Sequence, residues 1–313
     1  MARTNRPVTS REYKLILKKS CEQEWRQLVA DTWPKLIDKA TAAGGRAFTK
    51  QGRDKDIERR KTWYLDTDDK DLKQNGIALR VREDEGAKSG GKYKITLKFR
   101  AFDRYVSAAS DLSSSQGKLK SRKFEEDVTP AIKTTPVKKQ ERIVLISRYS
   151  RSGSLNLPDE PDLSTVKKLK RFFPGLKKPL KGVDNTKSVE KVRSFVAHET
   201  AVHMGKFRFG LPSCKGCEAI KIKVCMSFWH DTKERTGMPL VAELSYDYDE
   251  PKKGKKYWEF GKRNKNGLER YPNEVCSGST KLFKSLAEDK DLVDVNGTTK
   301  TAFAYRYGQE DDC

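Results

Sequence analysis

Charged side chains recur at every second position in several short segments of this chain. In KYKITLKFR (92–100), Lys92, Lys94, Lys98 and Arg100 share a face with Thr96, and Tyr93, Ile95, Leu97 and Phe99 share the other, because successive side chains of a strand point to opposite sides. GIALRVR (76–82) sets Arg80 and Arg82 against Ile77, Leu79 and Val81. SREYKL puts Ser10, Glu12 and Lys14 opposite Tyr13 and Leu15, and KFEEDV puts Lys123, Glu125 and Asp127 opposite Phe124 and Val128. AIKIKV offers Lys221 and Lys223, and LVAELSYD offers Glu243 and Asp247. Taken singly, each is an ordinary solvated face. Taken together, and turned inward, they make a cationic wall of Lys14, Arg80, Arg82, Lys94, Lys98 and Lys123, joined by Arg193, Lys221 and Lys223. An acidic cluster of Glu12, Glu125, Asp127, Glu243 and Asp247 lies beside it. Buried empty, such charges are costly. A bound oligophosphate would satisfy the bases, and Mg²⁺ or Mn²⁺ would satisfy the carboxylates and bridge to the phosphates.

The elements that must position these residues are mostly strands. Alternating segments at 12–18, 62–67, 76–82, 92–100, 123–128, 142–148, 189–196, 219–226 and 240–248, joined chiefly by short polar connections, predict an antiparallel sheet or barrel. Helices are expected at 21–41, with Pro34 breaking or kinking it, at 164–173 from a Ser cap, and at 279–289. No internal repeat is visible. The 313 residues are read as one domain, with an elaborated insertion at about 129–188 and a C-terminal segment at about 275–307.

The 66 Lys and Arg against 44 Asp and Glu give a net charge of +22, so the partner is expected to be anionic. The N-terminal stretch has no apolar signal region and no segment is apolar enough to span a bilayer, which predicts a soluble, cytoplasmic protein without a membrane partner. The six cysteines are too few and scattered for a disulfide scaffold. CKGC (214–217), with Cys225 and His230 downstream, is a weak zinc pattern and is read as a loop with free thiols. His198 and His203 are assigned ordinary polar roles, and Trp25 and Trp33 packing against the sheet.

YLDTDDKDLKQNGIALRVRED followed by KYKITLKFR resembles the central signature of the CYTH domain, the triphosphate tunnel metalloenzymes: a Tyr-x-Asp-Thr turn, a Leu-Arg-x-Arg strand and a Thr-x-Lys strand. The likeness runs from Ser10 to TTKTAFAY and is weakest between about 129 and 188. It implies an eight-stranded antiparallel closed tunnel with flanking helices, acting on a triphosphate with Mg²⁺ or Mn²⁺. By position, Arg80, Arg82 and Lys98 match the phosphate-binding bases. Lys123, Glu125 and Asp127 match an Arg-x-Glu-x-Glu strand with Lys for Arg, and Glu243 with Asp247 resembles the late acidic strand. The first strand departs from Glu-x-Glu-x-Lys: Ser10, Glu12 and Lys14 is the best match, and whichever register is chosen one metal carboxylate is missing.

The reaction expected is metal-dependent hydrolysis of an inorganic or organic triphosphate, with Glu243, Lys98 and Arg80 as catalytic residues. The bases hold the substrate in line while a water oriented by Glu243 or by a second metal attacks the terminal phosphorus. A class IV adenylyl cyclase uses the same groups, with a ribose hydroxyl attacking the α-phosphorus. Hydrolysis is favoured because no nucleoside pocket is evident. A non-catalytic polyphosphate or nucleotide binder remains the alternative of a different class. Nucleic acid is disfavoured as the main partner because the informative bases face inward.

Overall fold

The computed structural model describes residues 8–18, 24–50, 56–86, 92–117, 119, 121–134, 141–209, 220–249 and 273–309. Among these residues eleven strands form one sheet: β1 (Ser10–Ile16), β2 (Gly45–Lys50), β3 (Ile57–Asp66), β4 (Ile77–Asp84), β5 (Tyr93–Ala101), β6 (Ser121–Thr134), β7 (Glu141–Leu157), β8 (Glu190–Lys191), β9 (Ala197–Phe209), β10 (Ile222–His230) and β11 (Val241–Asp249). The order is β2-β9-β10-β11-β1-β6-β7-β5-β4-β3-β8, and an additional β9–β3 pairing closes nine of these strands into a ring. Every pairing is antiparallel except β1–β6. The ring thus has nine members where the resemblance implies eight; β9 enters between β3 and β10 and pairs with both.

Alternation in the sequence becomes a two-sided wall. Tyr13, Leu15, Met226, Phe228, Leu244 and Tyr246 pack with Trp25, Leu28 and Leu36 of α1 (Trp25–Ala42) and Leu282, Phe283 and Leu286 of α5 (Asn273–Ala287). On the opposite side, Leu79, Val81, Ile95 and Leu97 pack with Val166, Leu169 and Phe173 of α4 (Val166–Phe172) and its exit turn, and with Leu176 and Leu180. The apolar faces therefore point out of the ring beneath helices. Each fully buried Leu, Ile or Phe contributes about 1.5–3 kcal/mol. α1 continues through Pro34, which removes one backbone donor without ending the helix. The cap of α4 is Thr165, accepting from Lys168 N–H at 3.3 Å, rather than the serine before it. The stretch 129–188 supplies the distal part of β6, strand β7 and α4.

One expected strand is absent. At 189–196 only Glu190 and Lys191 pair, and the chain then makes a tight turn with Arg193 at φ 56° and Ser194 at φ 52°. That left-handed backbone breaks strand alternation, which begins afresh at Ala197. CKGC lies outside the described residues. No helix among the described residues is long and apolar enough to cross a membrane.

Candidate functional site

The polar faces meet inside the ring. Lys98 of β5 reaches Asp127 of β6 across β7, Arg82 of β4 reaches Glu199 of β9 across β3, and Lys300 bridges β9 and β11 across β10. Contacts between strands that are not neighbours require a concave shared interior.

One hub centres on Asp127. Its Oδ1 lies 2.8 Å from Lys14 Nζ, while Oδ2 accepts from Lys98 (3.2 Å), Arg100 (3.3 Å) and Ser150 Oγ (3.1 Å). Lys14 also meets Glu12 at 2.8 Å. Glu125 is held by Lys98 (3.6 Å) and Lys123 (3.4 Å), and the buried Ser10 hydroxyl donates to it at 3.4 Å. Burial would raise the Asp127 carboxyl, but Lys14, Lys98 and Arg100 hold it well below its ordinary 3.8. Burial depresses Lys98, with Asp127 opposing and Lys14 reinforcing the shift. Lys14 is raised despite its burial, by Asp127, Glu12 and Glu243.

A second hub centres on Glu199, which is fully buried (0 % exposed). It accepts from Arg60 Nε (2.7 Å), Thr62 Oγ1 (2.9 Å) and Ser227 Oγ (2.7 Å), and Lys300 Nζ stands 3.5 Å away. Lys300 also binds Glu243 at 2.9 Å. Burial opposes ionisation of Glu199, and Arg82, Arg60 and Lys300 overcome it, leaving the carboxyl well below 4.5. Lys300 opens α6 (Lys300–Arg306), and the tyrosine–aspartate–threonine turn explains how that helix is held. Asp66 accepts from the backbone N–H of Thr67 (2.8 Å), Leu72 (2.8 Å) and Lys73 (3.0 Å), which caps α2 (Asp71–Gln74) and turns β3 into β4. Its remaining capacity takes the Tyr305 hydroxyl of α6 at 2.7 Å. Tyr64 and Thr301 add a 3.0 Å hydroxyl contact.

Between the hubs positive charge is in excess. Arg80, Arg82 and Lys94 lie on adjacent strands, with Arg82 opposite Lys94 and Arg80 opposite Thr96. Burial, then Arg80, push the Arg82 guanidinium down to about 9, with Glu199 compensating only in part. An arginine there stays charged at neutral pH. Lys94 is lowered by burial and by Arg82, Arg80 and Arg60. The buried Nε–H groups of Arg80, Arg82 and Arg100 have no hydrogen-bond partner among the described residues. Buried donors are rarely left so.

The structure brings Glu12, Lys14, Arg80, Arg82, Lys98, Glu125, Asp127 and Glu243 to this interior, and Lys94 shares the face of Arg82 although it is exposed. Lys123 joins through Glu125, although half exposed. Lys223 is exposed and pairs with Asp247 at 3.9 Å, and Asp247 lies opposite Glu12 across β11 and β1, beside the Asp127 hub. Arg193 does not join the wall: it is exposed on the turn before β9, where the left-handed backbone defeats the parity assignment. Lys221 is exposed one residue before β10 begins. Glu199, Lys300 and Arg60 were missed. Glu199 sits in AHETAV with no apolar alternation, and Lys300 belongs to a helix placed by tertiary contacts; only Arg60, two residues before Thr62 on β3, carried a parity signal.

The Mg²⁺ or Mn²⁺ implied by the resemblance does not fit this donor set. Among the described residues no three Asp, Glu, His or Cys side chains converge to hold a metal ion. In the register Ser10, Glu12, Lys14 the resemblance implies a carboxylate where Ser10 stands, and Glu12 Oε2 and the oxygens of Glu125 and Asp127 are taken by ammonium and guanidinium groups.

No family model matches the chain, and no curated protein does. Among solved structures it is similar to an adenylyl cyclase candidate of Hippeastrum, described as having a dominant triphosphatase activity, at 10 % identity and a TM-score of 0.41, covering 96 % of each chain. An adenylate cyclase candidate of Bacillus halodurans matches at 10 % identity and TM-score 0.27, over 77 % of this chain and 82 % of that one. One of Vibrio parahaemolyticus matches at 10 % identity and TM-score 0.27, over 88 % and 90 %.

Proposed function

We propose that the ring interior binds the triphosphate group of a small molecule and hydrolyses a phosphoanhydride bond there. The observation that carries this reading is the excess of cations over carboxylates around Arg80, Arg82 and Lys94, where the Arg80 Nε–H lacks a hydrogen-bond partner and Arg82 Nε has only Glu199, 3.5 Å away. Phosphate oxygens present the many acceptors such a cluster lacks, and arginine forks match their geometry. Arg80, Arg82, Lys94 and Lys98 hold the chain of phosphates and neutralise the charge that builds on it as the bond breaks. Water forms the new P–O bond, its proton passes to a carboxylate for which Glu243 is the candidate, and the bridging oxygen leaves with the remaining phosphates.

A second reading, binding without turnover, is favoured by the internal pairing of the acids, since Glu243 is already engaged by Lys300. The two separate in one experiment: purified protein with tripolyphosphate, ATP or thiamine triphosphate, following binding by calorimetry and orthophosphate release. Arg80→Ala is expected to weaken binding by about 10–100-fold, the loss of one charge-assisted contact of about 1.5–3 kcal/mol. Orthophosphate release lost in Glu243→Gln supports hydrolysis; tight binding without release leaves the binder. Absence of binding to all three would refute both.

A further inference from the structure

Lys14 sits in an unusual place for a substrate-binding lysine. Its Nζ lies 2.8 Å from Glu12 Oε2 and 2.8 Å from Asp127 Oδ1, so one ammonium bridges two carboxylates from adjacent strands. A divalent ion shared by those carboxylates would need the same oxygens. The other Asp127 oxygen is taken by Lys98, Arg100 and Ser150, and Glu125 by Lys98, Lys123 and Ser10. The carboxylates Glu12, Glu125 and Asp127 therefore each face at least one of the cations Lys14, Lys98, Arg100 and Lys123. A dication would have to strip bound N–H donors from its ligands, whereas Mg²⁺ requires near-octahedral free oxygens.

We infer that this ring takes up its oligophosphate without a divalent metal, the Lys14 ammonium supplying the fixed positive charge between Glu12 and Asp127. The inference rests on the reading of the interior as an oligophosphate site and names what that site requires. Phosphate oxygens then meet Arg80, Arg82 and Lys94, while Lys14 stays with its two carboxylates and keeps them from repelling the ligand.

Two measurements test it. Calorimetric titration of the full chain with tripolyphosphate is run in excess EDTA and again with Mn²⁺. Mn²⁺ binding to the protein alone is followed by electron paramagnetic resonance. Wild type should bind tripolyphosphate in EDTA within about threefold of its affinity with Mn²⁺, and should not bind Mn²⁺ by itself. Lys14→Ala should lose about tenfold or more in EDTA, acquire Mn²⁺ binding through the freed Glu12 and Asp127, and recover tripolyphosphate affinity when Mn²⁺ is present. Lys14→Met, which keeps the aliphatic stem, repeats the test should the alanine variant fail to fold. Wild-type binding that vanishes in EDTA and returns with Mn²⁺ overturns the inference while leaving the oligophosphate reading intact. Unchanged affinity of both Lys14 variants in EDTA also overturns it. No binding of wild type in either condition instead brings down the oligophosphate reading itself.

Discussion

Glu199→Gln isolates the charge of the second hub from its shape. The side chain is fully buried, and glutamine keeps its shape: its one oxygen can accept from Thr62, and its amide N–H can donate to the Ser227 hydroxyl oxygen. What is lost is the counter-charge to Arg60 at 2.7 Å and to Arg82 and Lys300 at 3.5 Å each. Breaking a buried ion pair from one side costs about 3–5 kcal/mol, because the partner charge is left uncompensated. At about 2–3 °C per kcal/mol for a chain of this size, the melting temperature should fall by roughly 6–15 °C near neutral pH. The pH dependence has a definite sign. A carboxyl whose folded pKa lies well below 4.5 contributes stability that is present above 4.5 and lost as pH falls through the folded value. The acid side of the wild-type stability profile should therefore be steep, and that of Glu199→Gln flatter. Tripolyphosphate should raise the variant's melting temperature more than that of wild type, since the vacated positive charge adds to the anion site. Scanning calorimetry across pH, with and without tripolyphosphate, gives all three quantities. A variant melting within about 2 °C of wild type near neutral pH would mean that Arg60, Arg82 and Lys300 do not depend on Glu199, and the hub as described would be wrong.

The remaining expectations are smaller in scale. Tyr305→Phe removes a hydroxyl donated to the buried Asp66, and chemical denaturation should show a loss of about 1.5–3 kcal/mol; an unchanged midpoint would detach α6 from the motif turn. The three histidines should titrate apart by NMR. His203 is raised above 6.5 by its contact with Glu58, whereas burial lowers His198 and His230. Glu58→Gln should bring His203 back down, and a common pKa for all three would contradict these environments. Because His203 has its pKa raised, any stability from the pair is complete below 6.5 and fades as pH rises through the folded value. Leu97→Ala, at the buried centre of β5, should cost about 2–5 kcal/mol in equilibrium unfolding.

The interior wall was legible in the sequence wherever it depends on strand parity, a local property. Lys94, Lys98, Arg80, Arg82, Glu12 and Lys14 face inward because their neighbours Ile95, Leu97, Leu79, Val81, Tyr13 and Leu15 must face the helices. Parity fails where the backbone leaves the strand region, as at Arg193 and Ser194. It is silent where burial is decided by partners far along the chain. Glu199 is buried by Arg60, Arg82 and Lys300, and no window of sequence contains that set. The nine-member ring likewise follows from β9 pairing with both β3 and β10, a choice made by the assembled sheet. The metal site implied by resemblance was weakened in the sequence by Ser10 alone; the decisive fact, that Lys14 and Lys98 occupy the carboxylates, lies in side-chain directions.

The position of β1 sets a timetable. It lies between β6 and β11, with Ser10 and Glu125 separated by 115 residues and Ile16 opposite Glu243. Loop closure over such distances precedes any reward from pairing, so this seam forms late and slowly. At about 5–20 residues per second, synthesis delivers β11 roughly 10–50 s after β1. During that interval the strand carrying Glu12 and Lys14 lacks β11, and its alternating sequence is free to pair elsewhere. The ring's charged interior is therefore assembled last, and a cell that makes this chain must keep its first strand from finding the wrong edge.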